Sequence, residues 1–244
     1  MINGILKMDI KEKFDKVYDK IPGYYFGILI GLIGAITIVI SAILFSTVEQ
    51  ITFFTHWISN LGGATVAFDE RPPNGSNVVF GIGLVSAAIC AIFFLIYALR
   101  ILIPGNEKTK WMLHLDLITG LIAIIGIIIV SFFDMINWLA IHGIGAAMFF
   151  IGGMFMVLFF TLTILLNSEI PWIQAIPGFI VSGVFLIFLI TFLPHLLSGV
   201  ELISLLADTS NSVYNWTRFW EWMVLFAILS WFFIMGYLTY MLEK

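Results

Sequence analysis

Charged residues and cysteines are scarce in this 244-residue chain, and each shortage excludes a class of protein. Charged residues make up 11% of the chain, whereas soluble globular domains contain about a quarter. An ordinary soluble globule is therefore excluded. The single cysteine, Cys90, excludes an internal disulfide. The few basic residues form no stripe of the kind that binds nucleic acid, so no nucleic-acid partner is expected.

Apolar residues, by contrast, are abundant and occur in long runs. Hydrophobic residues make up 61% of the chain, and the mean hydropathy is +1.08. The runs reach about twenty residues or more, the length that a helix needs to cross the roughly 30 Å hydrocarbon core. They lack the alternation of a membrane β-barrel strand. The sequence therefore predicts an all-α, polytopic membrane protein with a six-helix transmembrane bundle.

The chain divides into a short amphipathic segment and one membrane domain. Residues 1–22 contain five lysines and apolar residues at helical spacing, which predicts a helix on the cytoplasmic membrane surface. Residues 23–244 form the six-span membrane domain. Its predicted spans are residues 23–46, 77–101, 111–133, 136–166, 172–194 and 216–241, and Pro194 is expected to end the fifth.

The basic residues predict the orientation of the bundle. With a cytoplasmic N-terminus, nine of the eleven basic residues lie inside, and Arg71 and Arg218 lie outside. Because cytoplasmic loops are enriched in Lys and Arg, both termini are predicted to be cytoplasmic. His114 and Asp116, at the start of the third span, are then expected at the inner interface. Most other histidines and acidic residues fall on the outer side, so a polar site is expected there.

Residues 49–80, between the first and second spans, form a long polar connection. Connections longer than about 12–15 residues are usually functional or disordered, and the apolar residues at 53–61 argue against disorder. Phe54, Trp57, Ile58 and Leu61 share one helical face, which predicts a short interfacial helix ended by two glycines. The loop is predicted to form or cover the functional site. The simpler alternative is an aromatic belt without a ligand.

Two segments of the loop and two span ends carry a family resemblance. The segments are residues 56–62 (HWISNLG) and 72–80 (PPNGSNVVF), and the span ends are His142, which opens the fourth span, and Glu221, which opens the sixth. They resemble the first luminal loop and span ends of the FRAG–DRAM–SFK family of six-span membrane proteins. Prokaryotic six-span proteins of unknown function match equally well. The family includes a factor that remodels the lipid of GPI anchors, modulators of autophagy, and a plasma-membrane protein tied to phosphoinositide organisation. The resemblance therefore implies a function on membrane lipid.

His142 and Glu221 are the candidate catalytic residues. An ionisable residue within a span is costly and is a functional candidate by default. Small residues follow His142, which predicts that its imidazole points into the bundle and can act as a base. Glu221 lies three residues after Arg218, so the two can share a helix face. The simpler alternatives are a histidine bonded to a neighbouring span and a structural ion pair.

Seven further residues near the outer face are candidate ligand-binding positions: His56, Ser59, Asn60, Arg71, Asn77, Asp134 and Arg218. The predicted site is an elongated cavity beneath the loop, polar above and apolar below, lined by His142 and Glu221. A phospholipid phosphate is expected near Arg71 or Arg218, because the second, fourth and sixth helices begin nearby.

The acyl chains of that lipid are expected to pass Gly145, Phe149 and Gly152, between the second, fourth and sixth spans. A metal could be held by the outer histidines and acids, but no histidine pair has the spacing of a metal motif. No metal residue is therefore assigned, and the sequence identifies no cofactor.

Three functions remain open from sequence. The first is an integral membrane protein that binds or organises membrane lipid through a site at the extracytoplasmic face. The second is a lipid-modifying enzyme, an acyl hydrolase or transferase, with His142 as base and possible assistance from a metal. The third is a structural protein without a ligand. Membrane lipids are the expected partners, and a protein partner or a homo-oligomer stays open.

Overall fold

Six long helices form the bundle in the computed structural model, which describes residues 12–63, 75–102, 109–197 and 212–244. Residues 12–18 belong to a short helix, α1. The long helices are α2 (Tyr24–Phe45), α3 (Ser76–Leu102), α4 (Lys110–Phe132), α5 (Leu139–Leu166), α6 (Ile176–Leu197) and α7 (Ser212–Glu243). Each is long and apolar enough to cross a membrane. The prediction of an all-α, six-span membrane protein is confirmed.

Glycines bring α4 and α5 into backbone contact. A Cβ at Gly145 would lie 3.0 Å from the Gly126 carbonyl oxygen and 2.6 Å from the Ile129 side chain. A Cβ at Gly152 would lie 2.8 Å from the Thr119 carbonyl oxygen. Small residues allow such close approach between membrane helices. The glycines of α5 that face α4 are therefore packing residues.

A similar contact joins α2 to α7. A Cβ at Gly236 would lie 2.9 Å from both the Ile28 nitrogen and the Tyr24 carbonyl oxygen. A Cβ at Gly27 would lie 2.9 Å from the Gly236 Cα atom. The first and last spans therefore pack along their backbones, which brings the start of α2 beside the end of α7.

The end of the bundle that holds α1 and the end of α7, here called the terminal end, is tied together by polar contacts. The Tyr18 hydroxyl donates a hydrogen bond of 2.8 Å to the Phe93 carbonyl oxygen, which attaches α1 to α3. The Tyr97 hydroxyl donates to Glu243 Oε2 at 2.8 Å. The opposite end, where α2 ends and α3 begins, is called the loop end below.

Two local expectations are wrong. α6 continues past Pro194 to Leu197, and proline is more frequent in membrane helices than in soluble ones. Asp116 has no exposed surface, and neither of its carboxylate oxygens has a hydrogen-bond partner among the described residues. It therefore lies inside the bundle, one turn from Gly120, which packs against α3 and α5.

Candidate functional site: a cavity beneath the first loop

The first loop returns to the bundle as a 3-10 helix, Ile58–Gly62. Asn60 Oδ1 accepts the backbone N–H of Trp57 at 2.7 Å, which caps the start of this helix. Gly63 ends it with a φ of 130°, a conformation that favours glycine. The predicted helix is thus present but shorter than expected. Its apolar residues are buried in the bundle.

Two neighbouring residues of α7 hold this part of the loop in place. Glu221 Oε2 accepts the backbone N–H of Ile58 at 2.7 Å, and the Ser59 side chain hydrogen-bonds to the same carboxyl group. Trp222 Nε1 donates to the His56 carbonyl oxygen at 2.9 Å. Glu221 is 6% exposed, so its carboxyl group depends on these protein partners. The described part of the loop and α7 are therefore joined into one wall.

His142 lies in the first turn of α5 with its imidazole fixed by α4. Its Nδ1 lies 2.7 Å from the Phe133 carbonyl oxygen. A carbonyl oxygen accepts and cannot donate, so Nδ1 carries the hydrogen. In the neutral imidazole, Nε2 then carries the lone pair, and it has no hydrogen-bond partner in the part of the chain that the structure describes.

Ser59, His142 and Glu221 line one cavity of about 350 Å³ between α5, α6 and the loop. Small-molecule sites typically have volumes of about 300–1,000 Å³. Apart from these polar groups the wall is apolar, and along α5 the cavity reaches from Leu139 to Ile151. At a rise of about 1.5 Å per residue, that distance is about 18 Å, slightly more than half of the roughly 30 Å hydrocarbon core.

The cavity opens sideways between α5 and α6. Ile144, Ile151 and Leu193 line it and are 60%, 44% and 45% exposed. Exposed apolar side chains on a span face the hydrocarbon of the bilayer. The cavity is therefore accessible from the bilayer interior, and an apolar chain entering it need not cross water.

Comparison with known families identifies the family of this chain. A family model described as the Frag1/DRAM/Sfk1/Cwh43P N-terminal domain matches residues 71–239. The chain belongs to this family. No match was found among curated proteins or among solved structures. His142 and Glu221 lie inside the matched Frag1/DRAM/Sfk1 region, whereas Trp57 and Ser59 precede it. The cavity in this family member is thus built from the matched region and the loop before it.

A cavity lined by His142 and Glu221, as predicted from the polar residues at the span ends, is present beneath the described part of the loop. The roles proposed for these two residues and for Ser59 stay predictions. Two alternatives were left open for His142, a hydrogen bond to a neighbouring span and a position inside the bundle. The structure shows a hydrogen bond to Phe133 at the end of the third span, and His142 also lines the cavity.

Three other candidate residues have structural partners beside the cavity. His56 is 3% exposed, and its Nδ1 lies 2.8 Å from the Thr55 hydroxyl. Burial lowers the pKa of His56, and the Glu49 carboxylate opposes this effect. Asn60 caps the 3-10 helix, as described above. Asp134 Oδ1 accepts the N–H groups of Ile136 and Asn137 at 3.0 and 2.9 Å.

Arg218 and Asn77 do not line the cavity. Arg218 has no exposed surface, and its Nη1 donates to Asn215 Oδ1 at 2.7 Å. Its guanidinium lies 5.3 Å from the centre of the Trp57 ring, a cation–π distance. Asn77 lies in a separate surface groove between α3 and α4. Arg71 lies outside the described residues. Among those described, no three metal-ligating side chains come together.

The expected path of the acyl chains does not follow this cavity, although Phe149 lines a smaller one that also contacts the second and sixth spans. Gly145 and Gly152 pack against α4, whereas the cavity-lining residues Ala146 and Phe150 follow His142 at intervals of four along an adjacent face of α5. The cavity therefore lies between α5 and α6, and Gly145 and Gly152 do not line it. The expected helix starts were also displaced: α5 begins at Leu139 and α7 at Ser212.

Sequence reasoning missed the α6 wall of the cavity, which consists of Phe188, Leu189, Phe192 and Leu193. All four are apolar, like most of the span around them. No local signal distinguishes a cavity wall from a lipid-facing surface in such a run.

Proposed function

We propose that this Frag1/DRAM/Sfk1 family member binds membrane lipid in the cavity between α5 and α6, at the extracytoplasmic face. The supporting observation is an apolar cavity that opens to the bilayer, with Ser59, His142 and Glu221 at one end. A lipid has the same division into a polar head and an apolar chain. The head lies at the three polar groups and the chain runs along α5.

The apolar part of the cavity also favours a ligand over an empty scaffold. Cavities lined by apolar side chains lose dispersion contacts and reduce stability. A lipid chain that enters through the gap at Ile144 and Leu193 restores those contacts without displacing ordered water. The purely structural reading leaves the cost of this space unexplained.

The test replaces two glycines that differ in their relation to the cavity. An added Cβ meets nothing within 4 Å at Gly143 of α5 or at Gly183 of α6, and Gly143 lines the cavity whereas Gly183 does not. Gly143→Leu fills part of the space, so we expect it to lower the lipid that co-purifies roughly tenfold. Gly183→Leu is the matched control and should retain the wild-type amount.

Quantitative mass spectrometry of lipid extracted from equal amounts of purified protein measures this effect. Equal amounts of bound lipid in the two variants would contradict the proposed site. A wild-type protein without any enriched lipid would contradict lipid binding itself.

The proposed orientation, with both termini cytoplasmic and the loop end outside, has its own test. Gln50 is exposed at the loop end, and Lys20 is exposed at the terminal end. In a Cys90→Ser background, a membrane-impermeant maleimide should label Gln50→Cys in intact cells and Lys20→Cys only after permeabilisation. The reverse pattern would place the cavity at the cytoplasmic face.

A lipid-modifying enzyme is the second candidate function, and the tautomer of His142 favours it. With Nδ1–H held by Phe133, the Nε2 lone pair lies at a cavity that also contains the Ser59 hydroxyl. A general base needs such a lone pair near the proton that it removes. Fatty acid released from added monooleoylglycerol by the wild type, and not by His142→Gln, would support this candidate. No release by the wild type would exclude it for this ester.

A further inference from the structure

We infer that the cavity binds a single-chain lipid whose head donates hydrogen bonds and carries no phosphate or other negative charge. This inference rests on the proposed function and adds the class of lipid to it. It replaces the phospholipid phosphate expected from the sequence.

The polar end of the cavity is rich in hydrogen-bond acceptors. His142 uses its N–H on the Phe133 carbonyl, which leaves Nε2 as an acceptor in the neutral ring. Glu221 Oε2 accepts the Ile58 N–H, and the Ser59 side chain hydrogen-bonds to the same carboxyl group. A buried head is stable only when its polar atoms are paired. Acceptor groups pair with donors, so a head with hydroxyl groups fits this end.

A negatively charged head does not fit the same groups. None of the described residues that line the cavity is Lys or Arg. Arg218, the cation expected to hold a phosphate, is buried beneath Trp57 and bonded to Asn215. An anion at this end would therefore have no cationic side chain beside it among the described residues that line the cavity. An unpaired charge is costly where the surroundings have a low dielectric constant.

The shape of the cavity favours one chain. The gap between α5 and α6 leads into a space of about 350 Å³ that runs along α5. A neighbouring cavity behind the same three polar residues encloses about 50 Å³. A further cavity that adjoins this one encloses about 70 Å³. Within the described part of the chain, a second acyl chain therefore has much less space than the first.

Three lipids with the same oleoyl chain test the inference: 1-monooleoylglycerol, oleate and 1-oleoyl-lysophosphatidate. Each competes with labelled monooleoylglycerol for the full-length protein in detergent. We expect monooleoylglycerol to displace the label at a concentration roughly tenfold below that of either anion. Dioleoylglycerol, with the same kind of head and two chains, should compete roughly tenfold less well than monooleoylglycerol.

Glu221→Gln links the preference to this carboxyl group. The Gln carbonyl oxygen can still accept the Ile58 N–H, and its NH₂ group then offers donors to the cavity. We expect the tenfold preference over oleate to shrink to about threefold or less, because the oleate carboxylate can accept hydrogen bonds from this NH₂ group. The melting temperature of the variant shows whether it is folded. If the variant does not fold, the order in which the lipids compete for the wild-type protein still tests the inference.

An anion or dioleoylglycerol that competes as well as monooleoylglycerol would overturn the inference, as would an unchanged preference in folded Glu221→Gln. Failure of the proposed function gives a different result. In that case no probe binds, or Gly143→Leu and Gly183→Leu bind all probes as the wild type does.

Discussion

Gly145→Leu is expected to abolish accumulation of folded protein, whereas Gly143→Leu, two residues earlier on α5, is expected to fold. A Cβ at Gly145 would lie 2.6 Å from the Ile129 side chain and 3.0 Å from the Gly126 carbonyl oxygen. A larger side chain there must push α4 and α5 apart along their backbones. At Gly143 the added atoms enter the cavity, where a Cβ meets nothing within 4 Å.

Size-exclusion chromatography of detergent extracts and thermal unfolding measure the two outcomes. Separation of two packed spans removes far more contacts than one core substitution, whose cost is typically about 1–3 kcal/mol for overpacking. We therefore expect no monodisperse peak for Gly145→Leu and a peak near the wild-type yield for Gly143→Leu. A wild-type melting temperature for Gly145→Leu would contradict the α4–α5 contact described here.

Trp57→Ala is the prediction with the next largest effect, a loss of about 3–5 kcal/mol in the free energy of unfolding. Trp57 is 4% exposed, and its ring lies 5.3 Å from the Arg218 guanidinium carbon and 5.9 Å from the centre of the Phe192 ring. Truncation removes the cover of a buried cation and part of the cavity wall. Both the packing of the loop and the shape of the site depend on this indole.

Trp172→Ala is the matched control, because Trp172 is 65% exposed. Its replacement should change stability by about 0.5 kcal/mol or less, as is usual for surface positions. Thermal and denaturant unfolding in one detergent compare both variants with the wild type. Similar losses for the two tryptophans would show that burial of Trp57 does not hold the loop on α7.

The same loop links stability to the proposed lipid site. Glu221 accepts the backbone N–H of Ile58 while its side chain lines the cavity. Trp57 covers Arg218 and lines the cavity from the other side of the loop. The residues that anchor the loop are therefore also residues of the site. Variants of the loop should be interpreted only after their melting temperatures are known.

The sequence by itself determined the fold class and the six spans, and it predicted the end of the bundle at which the cavity is found. The thickness of the bilayer sets the length of each apolar run, so a span can be recognised from one stretch of sequence. The first span, predicted at 23–46, is found at Tyr24–Phe45. His142 and Glu221 were identifiable because an ionisable residue stands out in an apolar run. Both line the cavity.

Only the tertiary structure decided which faces of these helices meet. Gly143 and Gly145 are alike in sequence, yet one lines the cavity and the other packs on α4. Arg218 was expected to meet a ligand and instead lies beneath Trp57. In a soluble helix the polar face marks the outside. A span is apolar toward both lipid and protein, so its sequence does not show which side packs, which side faces lipid and which side leaves a cavity.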